Sequence, residues 1–320
     1  MKRVLVTGAD GFIASGLIPT LLEAGWLVRG AVMQPTSLGR LHAAAEGFAT
    51  GDLAIFQDWN RLFDRVDCVV HLAARVHRTS AGPGEWESFR RDNVSVTRSL
   101  AEASVRAGVR RFVFISSIKA LGEGTPPGMA WDETRPHAPQ DSYGRSKAEA
   151  ELALQETASC SNLDPVIIRL PLVYGPGMKA NMARLFTAVR AGWPLPLAGV
   201  QNSRSILFLG NMTDAIKVCL EHPSAGRETF HIADSEALST PELISRIADA
   251  LGTMPKLFPL PLPLMRIAAS AMGRASELDR LTGSLLLDSK KIRAKLGWQP
   301  PFSVGEGLKH TAQWFLEGRR

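Results

Sequence analysis

Cysteine is scarce, with three residues in a chain of 320. Cys68, Cys160 and Cys219 stand far apart, without a CxxC pair or a spacing suited to metal ligation. This excludes a disulfide framework and a thiolate metal centre, and it predicts reduced thiols in a cytoplasmic protein. Histidine supplies no metal site either, because His71, His77 and His231 are scattered without ligand spacing. Long apolar runs are missing too. The most apolar stretch, Phe258 to Met272, is interrupted by Pro259, Pro261, Pro263 and Arg266 and is too short to span a bilayer. Loose contact with a membrane surface is the most it permits, so no integral membrane segment is expected. Met1 to Val4 runs directly into a strand pattern, without the apolar run of a signal peptide. No basic run is interleaved with aromatics, which argues against a nucleic-acid partner. Repeats and low-complexity tracts are absent.

What remains is an ordinary globular composition, 45% hydrophobic and 21% charged, long enough for more than one lobe. The formal charge of +6 suits anionic ligands, although solvated surface charge accounts for it as well.

Val4 to Thr7 is a short apolar run of the kind buried on both faces of a sheet. Gly8-Ala9-Asp10-Gly11-Phe12-Ile13-Ala14 follows, and Leu17 to Ala24 then reads as a helix ended by Gly25. Strand, glycine turn and helix in that order form a dinucleotide-binding loop: Gly8 permits the turn, and Gly11 lets a pyrophosphate approach the helix N-terminus. Ala14 stands where a third glycine would, and is small enough for close helix–strand packing. Val28 to Val32 is the second strand. The acid that would bind a ribose hydroxyl at its end is replaced by Val32, Met33 and Gln34, which leaves room for a 2′-phosphate paired with Arg29 or Arg40. Asp52, in Gly51-Asp52-Leu53, is either a contact to the adenine edge or a turn aspartate. Val66 to Ala74 is a strand running into small residues against which a cofactor can lie. Residues 85–107 form one long helix carrying Asn93 and closed by Gly108, and Arg111 to Ser117 is the next strand.

Tyr143 and Lys147 lie four residues apart at the head of a segment rich in helix formers, so they share a face. A phenol has a reference pKa of about 10. An adjacent ammonium favours the phenolate and makes it usable as an acid or base at neutral pH. Ligands of open parallel sheets bind beyond the carboxyl ends of the strands, where Ser117 and Tyr143 would converge.

Together these segments resemble the extended short-chain dehydrogenases/reductases, the nucleotide-sugar epimerase/dehydratase group, over nearly the whole chain. Thr7 to Ile13 looks like the cofactor loop of that family, His71-Leu72-Ala73-Ala74 its fourth-strand signature, and Ser117, Tyr143 and Lys147 its catalytic triad. Pro171 to Gly177 is similar to its post-strand turn, and Leu296 to Pro300 to its C-terminal helix end. The resemblance implies an α/β fold: a Rossmann-type doubly wound parallel sheet with a smaller, interleaved C-terminal substrate lobe. Residues 1–175, with a returning segment of about 205–234, would bind the dinucleotide. Residues 176–204 and 235–320 would bind a nucleotide sugar.

Site roles follow from the same resemblance. Gly8, Asp10, Gly11, Phe12, Ile13, Arg40, Asp52, Leu53, Leu72, Ala73 and Ala74 would line the cofactor. Asn93 would support the site nearby, with packing inside its helix as an equal account. Tyr143 would be the acid/base, Lys147 would lower its pKa and hold the nicotinamide ribose, and Ser117 would bond the reacting oxygen. Asn181 would contact the sugar diphosphate and Leu197 would lie along the uracil. Arg204 and Arg280 would clamp the two phosphates, a task suited to forked, permanently charged groups, unless Arg280 is a surface helix charge.

Three classes of function are open. Ile118 and Lys119 stand where a 4,6-dehydratase needs an acid pair, so dehydration is not expected. The missing ribose acid favours a cofactor released each cycle. Ser117 to Gly122 and Pro139 to Lys147 also look like the bacterial branch that reduces UDP-4-keto-6-deoxy-N-acetylhexosamines in surface polysaccharide synthesis, and the resemblance implies as first expectation a 4-ketoreductase of that kind, using NAD(P)(H) and leaning to NADP(H). A UDP-hexose 4-epimerase follows, and a non-catalytic dinucleotide sensor is the alternative of another class. A homodimer is expected from the family.

Overall fold

The computed structural model describes residues 2–76 and 84–318, so His77 lies outside it. Seven strands form the central sheet: β1 (Arg3–Thr7), β2 (Leu27–Val32), β3 (Glu46–Ala49), β4 (Cys68–His71), β5 (Arg111–Ser117), β6 (Asp164–Leu170) and β7 (Glu228–His231). Their order is β7-β6-β5-β4-β1-β2-β3, with every pair parallel. Val4, Leu5 and Val6 are consecutive and all fully buried. Since side chains alternate along a strand, both faces of the sheet must be covered. The order reverses between β1 and β4, and the crevice at that switch point is where a ligand of such a sheet binds.

The helices around the site are α1 (Phe12–Glu23), α2, α3 (Ser142–Ser159), α4 (Ala180–Arg190), α5 (Leu209–Glu221), α6 (Thr240–Leu251), α7 (Leu262–Ala271), α8 (Ala275–Thr282) and α9 (Val304–Glu317). α2 comprises Glu85–Phe89 and Val96–Arg106 joined by a π-helical turn, Arg90–Ser95. α1 and α5 cover one face of the sheet through Leu17, Leu21, Met212 and Ile216. α2 and α3 cover the other through Leu100, Ala101, Ala150 and Leu154. A separate core joins Phe186 of α4, Ile244 and Ile247 of α6 and Leu308 of α9 to Tyr174 and Phe208.

The Rossmann-type parallel sheet with its C-terminal lobe is the fold read from the sequence, and the segment expected to return to it does so as β7, with His231 opposite Arg169. Local details differ. α1 starts at Phe12, not Leu17, because Gly11 already acts as its N-cap and the glycine loop runs into the helix without a break. The N-cap of α6 is Ser239. Ser239 forms a capping box with Glu242, while the Thr240 hydroxyl donates to the Leu281 carbonyl at 2.6 Å and is committed to the lobe interior. The predicted continuous helix over 85–107 contains the π turn, which places Asn93 at its inner side. Cys68 and Cys219 are buried free thiols and Cys160 is exposed.

Candidate active site

Asp141 caps α3, its carboxylate accepting the Gly144 amide at 2.6 Å. The helix thereby starts beside the end of β5, where the chain turns through Ser117. Contact between the two is close: a Cβ on Gly144 would lie 2.4 Å from the Lys119 carbonyl oxygen, so only glycine fits. Gly144→Ala must push α3 off the β5 turn. Thermal or urea unfolding should register a loss of about 1–3 kcal/mol, accompanied by reduced turnover.

Tyr143 and Ser117 are hydrogen-bonded at this junction, and the Phe89 ring lies 6.2 Å from the Tyr143 ring, edge to face. Burial pushes the phenol up to about 12; the Ser117 bond opposes this, and the Asp141 carboxylate adds to it. Lys147 faces inward from the next turn. Its ammonium donates to the Ile115 carbonyl at 2.8 Å and sits 4.7 Å over the Phe114 ring. Burial pushes it down to about 8, with the Glu151 carboxylate opposing. The ammonium is engaged by a carbonyl and an aromatic face, and desolvation governs the phenol.

Behind Lys147 lies a buried network that the sequence reading missed. Glu151 pairs with Arg169 at 2.7 Å and with His137 at 2.8 Å, and is also hydrogen-bonded by Ser116. Burial raises the Glu151 pKa, but the His137 and Arg169 contacts outweigh it and hold the carboxyl below its usual range. Glu151 lies four residues after Lys147, one turn along the same helix face, and that spacing was the available signal.

The cofactor edge is built around Gly8. Its φ is +67°, and a Cβ there would stand 2.9 Å from the Ala73 nitrogen. Both the conformation and the space require glycine, and they open a backbone-lined cradle at the N-terminus of α1 that fits a pyrophosphate. Thr7 Oγ1 lies 2.7 Å from His71 Nδ1 and accepts the Ala73 amide at 3.2 Å, fixing Leu72, Ala73 and Ala74 along that edge. Burial lowers the His71 pKa to about 3, so the ring serves as a neutral strut. Asn93 accepts the Arg75 amide at 2.7 Å and donates to Ser146 at 2.8 Å, joining the loop after Ala74 to α3. Phe12 and Ile13 open α1 beyond Gly11.

Asp10 accepts the Ser37 hydroxyl at 2.7 Å, tying the glycine loop to the 3₁₀ turn Pro35–Arg40, whose exposed last residue is Arg40. Arg29 is not available for a phosphate. It is buried, donates to the Arg61, Leu62 and Asp64 carbonyls and pairs with Glu46 at 2.9 Å. Asp52 accepts the Ala54 amide at 2.9 Å and pairs with Arg91, the behaviour of a turn aspartate, with Leu53 half-buried beside it.

In the C-terminal lobe, Arg204 donates to the Gly283 carbonyl at 2.8 Å. Its pKa is lowered by burial first and by the nearby Arg280 guanidinium as well, with Glu123 opposing. The two arginines are thus electrostatic neighbours, with Arg280 exposed on α8. Asn181 is exposed in the first turn of α4. The Leu197 side chain is spent in the lobe core, so any contact with a base at that position falls to backbone. The sequence also missed Lys119, whose ammonium holds both Glu123 at 2.6 Å and Asp141 at 2.7 Å.

Residues 4–233 match the NAD dependent epimerase/dehydratase family. The chain belongs to that family. Among curated epimerase/dehydratase proteins it is 38% identical to UDP-glucose 4-epimerase of Vibrio cholerae, covering 99% of this chain and 96% of that one. It is 26% identical to N-acetyl-alpha-D-glucosaminyl-diphospho-ditrans,octacis-undecaprenol 4-epimerase of Escherichia coli O157:H7, covering 98% and 95%. UDP-glucose 4-epimerase of Thermus thermophilus, solved in complex with NAD, superposes with a TM-score of 0.78 at 25% identity over 98% of this chain and 99% of that one. The protein is an enzyme of the NAD-dependent epimerase/dehydratase family. No helix among its described residues is long and apolar enough to cross a membrane.

Proposed function

We propose that the protein is a 4-epimerase of a UDP-linked hexose or N-acetylhexosamine. The observation that carries this reading is the end-to-end likeness to the Vibrio cholerae epimerase, at an identity well above that of the other relatives described. The site agrees. When bound, the dinucleotide supplies reversible hydride acceptance at the sugar C4. Tyr143 takes the proton of the C4 hydroxyl and later returns it, and Ser117 holds the same oxygen. Arg204 and Arg280 bind the diphosphate, leaving the sugar free to turn over. Dehydration is disfavoured because residues 118 and 119 carry no acid and Lys119 engages the two carboxylates that do approach, Glu123 and Asp141.

The 4-ketoreductase reading stands second, supported by the absence of a carboxylate at the end of β2. Arg40 on the adjacent turn is then the partner for a 2′-phosphate, and the cofactor is NADP(H). A lipid-linked diphosphate in place of UDP is supported by the Escherichia coli relative. One experiment separates these readings: incubation with UDP-glucose, UDP-N-acetylglucosamine and an undecaprenyl-diphosphate hexosamine, with NAD or NADPH, followed by product stereochemistry and cofactor consumption. Interconversion of C4 isomers with catalytic NAD is expected. Consumption of one NADPH per product, without such interconversion, transfers the assignment to the reductase.

A further inference from the structure

α7 is apolar on nearly every side yet buries little of itself. Its sequence, LPLMRIAASA, holds one charge, Arg266, and only Met265 and Ala269 are buried. A helix that is apolar all round ordinarily lies in a protein core or a lipid phase. Here Leu264 and Ile267 face outward, Ile267 with 68% of its surface exposed. The apolar surface continues along the chain. Met254, 83% exposed, and Phe258 precede α7, Met272 follows it, and α8 buries no residue. Scattered exposed apolar residues need no explanation, whereas a run of this kind marks a contact surface.

Charge identifies what it contacts. The segment from Met254 to Leu281 carries four basic side chains, Lys256, Arg266, Arg274 and Arg280, against the two acids Glu277 and Asp279. The whole chain carries +6. Apolar side chains that project from a surface with a basic fringe suit the headgroup boundary of a bilayer. No described helix is fit to span one, so the contact is peripheral. We propose that this face docks on an anionic lipid membrane, with Phe258, Leu264, Ile267 and Met272 in the interface and Lys256, Arg266 and Arg274 against the headgroups. Arg280 lies on α8, which packs beside α7. The proposal does not depend on which sugar reaction the site performs.

The test is sedimentation of the full chain with vesicles of phosphatidylcholine alone or mixed with phosphatidylglycerol. Binding to the mixed vesicles is expected, weaker by about tenfold on phosphatidylcholine alone or in high salt. The double variant Leu264→Glu/Ile267→Glu should bind the mixed vesicles at least about tenfold more weakly, with an unchanged unfolding midpoint, since both positions face solvent. Arg266→Glu/Arg274→Glu, which leaves the apolar face intact, should lose the preference for anionic vesicles. Wild-type protein remaining in the supernatant with mixed vesicles overturns the proposal, as does full binding by the Leu264/Ile267 variant. An oligomer dissolved by that variant, without vesicle binding by the wild type, assigns the face to a second copy of the chain instead.

Discussion

Tyr143→Phe should lower turnover of any accepted nucleotide sugar by about 10²–10⁴-fold, the usual contribution of a positioned acid or base, while dinucleotide binding persists. The phenylalanine keeps the ring against Phe89 and removes only the oxygen that Ser117 engages. A structural role would cost stability instead, so unfolding of the variant is measured beside its kcat. The wild-type phenol, pushed up to about 12 in the free protein, is almost wholly protonated at neutral pH. Its basic form then grows about tenfold per pH unit, so kcat/KM for oxidation of the sugar alcohol should rise with pH until the tyrosine of the working complex titrates. Cofactor and substrate contacts that favour the phenolate shift that break downward. A variant turning over within a few-fold of wild type, or a profile flat with pH, would remove Tyr143 from the chemistry.

The largest effect on stability is expected from Arg169→Met. Arg169 and Glu151 form a pair shut away from solvent between β6 and α3, and removing one partner leaves the other charge buried. That costs about 3–5 kcal/mol, against a typical total of about 5–15 kcal/mol for a folded domain. Urea unfolding should show most of the loss as a lower midpoint with an unchanged slope. Glu151→Leu added to Arg169→Met should recover part of it, because an apolar pair needs no counter-charge. Glu151 also sets a pH dependence. Its folded pKa is depressed, so the stability it contributes is present above the unfolded carboxylate pKa, about 4.3, and is lost as pH falls through the folded value. A loss below about 1 kcal/mol in Arg169→Met would mean that the pair is already neutral or hydrated.

The sequence by itself determined the fold and the family, and the reason is local. Val4 to Thr7 followed by Gly8 and Gly11 can be little else than a strand turning into a helix, because the steric demand that makes Gly8 a glycine is met within a short turn. Tyr143 and Lys147 share a helix face by arithmetic alone. The empty acid position at Val32 could likewise be read from spacing. What the tertiary structure decided concerns partners far apart in the chain. Arg29 was open beside the preferred Arg40 in sequence, and only the structure shows the Arg61, Leu62 and Asp64 carbonyls consuming it. The spacing put Lys147 on the face of Tyr143, and only the structure shows its ammonium donating to the Ile115 carbonyl of the neighbouring strand. Lys119 was read only as an absent acid, yet it bridges Asp141 and Glu123. Burial and charge pairing arise when segments meet, and no pattern along the chain records which segments will do so.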